Sequence, residues 1–309
     1  MIDYYFKNKK FKKPDKLSKN KIGTWIRITD ANSKDLSELS RVLGIDQEDM
    51  EDCLDEFEIP RIEKLDNGIL LILKIPKISS SANYTETFSI IVTDKNVVTV
   101  SLSKDKFLDY SRHLKNDLNT DQKYMIVFTL LMRITEEFTY EIKKIRHQVL
   151  SNLAQPNYSN LSESRIINLT YNDEILSQFL AVLIPMKLVL TSLRSGSFFR
   201  VFEKDSDLLE DIILNINQSA EIASTNMKSI RSLRDSYQIL FTNKLNKEIR
   251  LLTYLTILLT IPMLIASYFG MNVPLPFQSN SKAHLIIIIL SVSFVSLVLY
   301  LLRYFMKRK

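Results

Sequence analysis

Cysteine is nearly absent from this 309-residue chain, glycine occurs five times and tryptophan once, and no aspartate or glutamate occurs from Leu251 to the C-terminus. With Cys53 alone there is no internal disulfide and no CxxC metal site, which fits a polar region held in a reducing compartment. Five glycines exclude a collagen-like repeat, and none of them forms a nucleotide-binding loop. No nucleophile elbow or metal-hydrolase spacing occurs either, so an enzyme is not expected. The three histidines, His113, His147 and His284, are scattered and offer no convergent soft-metal site.

What is present is segregated. A mean hydropathy of -0.02 describes neither part of the chain. From Leu251 through Leu302 the only ionised side chain is Lys282, so the first 250 residues are far more polar than the average. Residues 1–21 carry eight lysines with no apolar run after them, so they read as a solvated basic tail and not as an export signal. Binding of that tail to anionic lipid stays open; nucleic acid is not expected, because no aromatic-interleaved basic motif accompanies the run.

Leu251 to Gly270 gives twenty uncharged residues and Leu285 to Leu302 eighteen. As helices these are about 30 Å and 27 Å long, and both match a hydrocarbon core of roughly 30 Å. The apolar stretch Phe179 to Leu190 is shorter and broken by Pro185 and Lys187, so it reads as a buried helix of the polar part. Lys244, Lys247 and Arg250 precede the first span, Arg303, Lys307, Arg308 and Lys309 follow the second, and the loop between holds only Lys282. That asymmetry places both termini in the cytoplasm and the loop outside, giving a multi-pass protein of the cell membrane.

The fold expected is α+β. After the basic tail come a cytoplasmic α/β domain (22–120), a helical hairpin (121–204) and a stalk helix (205–270) whose end is the first span (251–270). An external loop (271–284), the second span (285–302) and a basic cytoplasmic tail (303–309) follow. Strands are predicted at Trp25 to Thr29, Ile69 to Ile75, Thr85 to Val92 and Val97 to Leu102, with a hairpin turn at Asp94-Lys95-Asn96 and an acidic helical stretch from Ser33 to Phe57. From Asp205 no Pro or Gly interrupts the helical pattern until Pro262, which implies a helix of about 60 residues, roughly 90 to 100 Å. A helix that long is expected to pack against the preceding helices or against copies of itself.

Asn246, Ile249, Thr253, Thr256, Thr260, Met263 and Ser267 follow one another at alternating spacings of three and four, the seam of a helix packed around a common axis. Five of the seven are polar and uncharged. Such residues either bond back to their own helix and line helix contacts, or line an aqueous pore. One chain with two spans cannot enclose a water path, so the pore reading requires an oligomer. Without carboxylates in the membrane, a permeating ion would meet water, hydroxyl and amide oxygens.

The first span ends in Tyr268-Phe269-Gly270-Met271-Asn272, followed by a Pro-rich loop and the second span. This resembles the Gly-Met-Asn signature of CorA-type magnesium channels, which stands directly after the first of two C-terminal membrane helices. Gly23-Thr24-Trp25-Ile26, Leu43-Gly44-Ile45, Glu51-Asp52 and Pro60-Arg61-Ile62-Glu63 look like that family's N-terminal pattern, so the resemblance spans all but the lysine-rich start. It implies a homopentamer that transports Mg²⁺, with Asn272 as an amide ring at the mouth and Gly270 and Met271 as the turn that places it. Mg²⁺ gives up its waters reluctantly, so amide oxygens suit a hydrated ion.

The resemblance puts Asn246, Ile249, Leu252, Thr256, Thr260, Met263 and Ser267 on the pore, agreeing with the seam except at Leu252 against Thr253. Bulky Ile249 and Leu252 would form a hydrophobic constriction. It also implies an acidic funnel at Asp235 and regulatory Mg²⁺ between subunits at Asp52, Glu51 and Asp211; the alternative for the acidic run is a solvated helix face. Partners would be further copies of the chain, divalent cations and lipid, with no organic cofactor. Val273-Pro274-Leu275-Pro276-Phe277 departs from the acidic loop of many relatives, so the loop attracts cations weakly. Co²⁺, Ni²⁺ or Zn²⁺ on the same scaffold is the alternative cargo, and a membrane scaffold without transport is a further one. Met271, where zinc-exporting relatives usually carry Ile, argues against zinc.

Overall fold

The computed structural model describes residues 2–7, 15–17, 21–77, 83–103, 119–153, 163–199, 203–271 and 282–307. The chain divides into two compact units, Met1–Arg234 and Asp235–Lys309.

The first unit is built on a sheet of seven strands among the described residues. These are β1 (Ile2–Phe6), β2 (Asp15–Leu17), β3 (Trp25–Ile28), β4 (Arg61–Leu65), β5 (Gly68–Pro76), β6 (Thr85–Thr93) and β7 (Val97–Ser101), in the order β2-β1-β3-β7-β6-β5-β4. β3 and β7 run parallel and every other neighbouring pair antiparallel. Ile69 to Leu73 are all buried, as a strand requires when both faces of its sheet are covered. One face packs Ile26, Ile28, Leu70, Ile72, Ile91, Val98 and Val100 against Leu36, Leu39, Ile45, Met50 and Cys53. Those last residues belong to α1 (Ser33–Leu43), α2 (Gln47–Glu51) and the 3₁₀ turn Asp52–Leu54, with Ile45 in the connection between α1 and α2. The β4 and β5 edge contacts α3 (Lys123–Leu153) and α4 (Glu163–Arg194).

One expectation needs correction here. Residues 1–21 are not wholly a solvated tail, because Ile2–Phe6 forms a strand between β2 and β3, with Tyr4 opposite Leu17 and Ile26. The Thr120 amide and hydroxyl both donate to the Lys7 carbonyl, and the Lys7 amide donates back to the hydroxyl. The lysine count obscured the apolar alternation Ile2, Tyr4, Phe6 that makes the strand. The acidic stretch Ser33 to Phe57 is helical as expected, in three pieces. Asn32 caps α1 by accepting from the Asp35 amide, and Gly44 ends it at φ 67°, ψ 40° with its amide donating to the Ser40 carbonyl.

α3 and α4 carry buried residues at helical spacing, and their aromatic rings meet edge to face, Phe138 against Phe179 at 5.1 Å. Phe179, Leu183, Met186 and Leu190 are buried, which agrees with the reading of this stretch as a core helix. α5 (Glu203–Phe269) has 67 residues and belongs to both units. Its first part is held in the first unit by Leu209, Ile212, Ile216, Ala223 and Ile230, and by a 2.6 Å hydroxyl contact between Ser219 and Thr139.

The second unit comprises the rest of α5 and α6 (Ala283–Lys307). Among the described residues, two apolar helices are of length sufficient to cross a membrane, and they differ in burial. In Ser164–Arg194, 44% of the apolar window is buried; in Asp205–Phe269, 0% is. α6 has 25 residues, and its apolar stretch His284–Tyr300 is shorter. Half-buried residues, with the buried Ser291, form one stripe on each helix: Tyr254, Ile257, Ile261 and Ile265 on α5, and Ile287, Ser291, Val295 and Val298 on α6.

Candidate functional site: the exposed seam of the long helix and the acidic turn

α5 in the second unit presents three faces. At about 100° per residue, the stripe Tyr254, Ile257, Ile261, Ile265 lies roughly 120° from the seam. The seam holds Asn246, Ile249, Thr253, Thr256, Thr260, Met263 and Ser267, and all seven are exposed. Leu251, Leu255 and Leu258, also exposed, occupy the third face. Leu252 is exposed too, but lies about 70° from the seam's mean direction against about 30° for Thr253, so helical register favours Thr253 as a seam residue.

Two hydroxyl hydrogens of the seam are used inside the helix. Thr253 donates to the Ile249 carbonyl at 2.8 Å and Thr256 to the Leu252 carbonyl at 2.9 Å. A hydroxyl that has given its hydrogen inward can only accept from outside, so these two threonines offer lone pairs to whatever faces them.

The helix ends at the signature. The Gly270 amide donates to Ala266 at 2.9 Å and to Ser267 at 3.2 Å, and the Met271 amide to Tyr268 at 3.3 Å, a tightened last turn. A Cβ on Gly270 would lie 3.3 Å from the Ala266 carbonyl oxygen, tighter than ordinary contact. Asn272 lies outside the described residues.

In the first unit, Glu51 and Asp52 end α2 and begin the 3₁₀ turn. The Asp52 carboxylate is not bare. Arg61 Nη2 reaches its Oδ2 at 2.7 Å, while Nη1 bonds Glu58 and Nε lies 3.4 Å from Glu63. Glu51 accepts from Gln47 Nε2 at 2.8 Å. Burial, and then the neighbouring carboxylates Glu63, Asp46, Asp52 and Glu48, push the Asp49 carboxyl above the ordinary aspartate value. Asp211 and Asp235 are exposed on α5. Among the described residues of one chain, no three His, Cys, Asp or Glu side chains gather as a cation site.

The sequence pattern gave no role to Arg61 or Lys74. Lys74 is 4% exposed on β5 opposite Thr87, and its Nζ donates to the Glu56 carbonyl at 2.5 Å and to Thr87 Oγ1 at 2.9 Å. Thr87 in turn donates to the Asp55 carbonyl at 2.5 Å. A lysine inside the otherwise apolar run Ile69 to Pro76 was the available signal. Together these bonds pin the segment that follows the acidic turn onto the sheet.

An α/β sheet domain whose last long helix continues into an exposed apolar segment with a hydroxyl seam, paired with a second apolar helix, fits a protein of the membrane transport class. The sequence model of the CorA-like Mg²⁺ transporter protein family matches residues 20–308, and the chain belongs to that family. The chain is 26% identical over 295 residues to the cobalt/magnesium transport protein CorA of Methanocaldococcus jannaschii, covering 90% of this chain and 89% of that one. Its fold is similar to the complete structure of the CorA magnesium transporter from the same organism, with a TM-score of 0.81, 21% identity, and 98% and 97% of the two chains covered. It is also similar to the full-length CmaX protein, with a TM-score of 0.72, 17% identity and 97% of both chains covered.

Proposed function

We propose that the chain is the subunit of a homopentameric channel that carries Mg²⁺ across the cell membrane, with its termini in the cytoplasm and α5 lining the pore. The exposed seam carries this reading. A hydrated Mg²⁺ turns its water hydrogens outward, and those hydrogens need acceptors. Threonines whose own hydrogens are already donated inward supply acceptors without competing donors. Asn272 is the amide at the mouth, held by the turn at Gly270 and Met271. Entry is driven by the membrane potential, at about 4.6 kcal/mol per 100 mV for a divalent ion, twice the single-charge value.

The cytoplasmic acids are the regulatory element of the proposal, with Mg²⁺ bridging Glu51 and Asp52 of one subunit to Asp211 of the next. Carboxylates are the right donors for a hard cation, and the crowding at Asp49 supports a local excess of negative charge. Arg61 already neutralises Asp52 in part, so the ion must share or displace a guanidinium and binding is expected to be weak.

Mg²⁺ entry into proteoliposomes, followed side by side with Co²⁺, Ni²⁺ and Zn²⁺, tests the cargo. Mg²⁺ flux should be lost in Asn272→Ala; undiminished flux in that variant refutes the mouth, and faster Co²⁺ or Zn²⁺ than Mg²⁺ refutes the cargo. The back-bonded threonines also suit a scaffold in which the seam only packs helices. Under that second reading, Thr256→Leu with Thr260→Leu leaves no flux to lose.

A further inference from the structure

In the second unit, Tyr254 of α5 and Ser296, Leu299 and Tyr300 of α6 line a niche of about 370 Å³ between the two helices. We propose that this niche holds an anionic phospholipid, with an acyl chain along the tyrosine and leucine walls and the headgroup at the charged helix ends below.

Three observations carry this. The lining is mainly apolar, its polar groups being the hydroxyls of Tyr254, Ser296 and Tyr300, and Ser296 donates its hydrogen to the Val292 carbonyl at 2.8 Å. Tyrosines at this place match the preference of amphipathic rings for the boundary between hydrocarbon and headgroup. The same faces run on into cations. At about 100° per residue, Lys247 and Arg250 lie within roughly 40° of Tyr254, whereas Glu248 lies about 120° away. Both basic residues are exposed. On α6, positions 296, 300, 303 and 307 share one helical stripe, and the last two hold Arg and Lys. Four basic positions thus follow an aromatic niche at one end of both helices, with no acid on either stripe. A basic pocket between membrane helices selects an anionic headgroup at about fivefold per cation.

The inference rests on the reading of α5 and α6 as membrane spans but not on transport or orientation, so it is tested in detergent, where neither matters. The full-length protein in a neutral detergent is titrated with dioleoyl phosphatidylglycerol or dioleoyl phosphatidylcholine, and retained lipid is counted by native mass spectrometry. Phosphatidylglycerol should half-saturate at a concentration at least about fivefold lower. Lys247→Gln should reduce that preference, Lys247→Gln with Arg250→Gln should abolish most of it, and Tyr300→Ala should weaken both lipids alike. Lys282→Gln, at the opposite helix end, should change nothing. Equal retention of the two lipids by the wild type overturns the proposal, as does an unchanged preference in Lys247→Gln. Displacement by soluble glycerol phosphate as effective as by phosphatidylglycerol overturns the lipid as occupant.

Discussion

Gly68 opens β5 opposite Thr93, and a Cβ there would stand 2.1 Å from the Val92 carbonyl oxygen. The obstacle is backbone, which cannot swing aside, so Gly68→Ala is expected to cost about 1–3 kcal/mol in a denaturant melt, a typical overpacking penalty. Lys74 makes a different kind of contribution. Lys74→Met leaves the Glu56 carbonyl without its charged donor and should cost about 1.5–3 kcal/mol. Burial holds the Lys74 ammonium below its ordinary 10.5, against the pull of Asp55, Glu58, Glu56 and Glu86. The unfolded chain therefore keeps this proton to a higher pH than the folded one. Between the lowered pKa and 10.5, wild-type stability relative to Lys74→Met should rise with pH. Arg61 sets the strength of the proposed regulatory site: Arg61→Gln should lower the Mg²⁺ concentration that protects the protein from proteolysis, and a raised requirement would show that Arg61 positions Asp52 for the ion.

At the scale of elements, the central strands and long helices were legible because each carries a strong local pattern. Val97 to Leu102 and Thr85 to Val92 flank a turn in which the Asn96 amide and carbonyl both bond Thr93. β1 and β4 were not legible, because both are short and mix charge with apolar residues, and only their sheet neighbours make them strands. The seam could be read from spacing alone, since period 3.6 fixes which residues share a face; whether that face meets water is a property of several copies. Cys53 makes a direct test possible. It is 1% exposed, and burial pushes its thiol up to about 11, so at pH 8 the native protein offers no competing thiolate. A water-soluble thiol reagent should label Thr256→Cys and spare Leu255→Cys, two residues exposed in one chain but on different faces. Failure to label Thr256→Cys, like Leu255→Cys, would place the seam out of water.

For the whole molecule the question is how many copies close the ring. Helices about 10 Å in diameter, standing side by side in a ring, leave a central opening of roughly 4 Å for four copies, 7 Å for five and 10 Å for six. A Mg²⁺ ion with its first water shell has oxygens at about 2.1 Å and an outer water radius of about 1.4 Å, hence a width of roughly 7 Å. Four copies would strip the ion at a seam that has no carboxylate to replace its waters, and six would let it pass without contact. Five allows the threonine oxygens to touch the water shell and no closer. Amine-reactive cross-linking of the detergent-solubilised full chain should therefore give a ladder that ends at five. A ladder ending at four would require dehydration in the pore, and faster-dehydrating Co²⁺ would then outrun Mg²⁺ in the same vesicles. A ladder ending at six would make flux insensitive to Thr256→Leu, whereas in a ring of five the added bulk should reduce Mg²⁺ flux by at least about tenfold, the effect of 1.4 kcal/mol on the barrier.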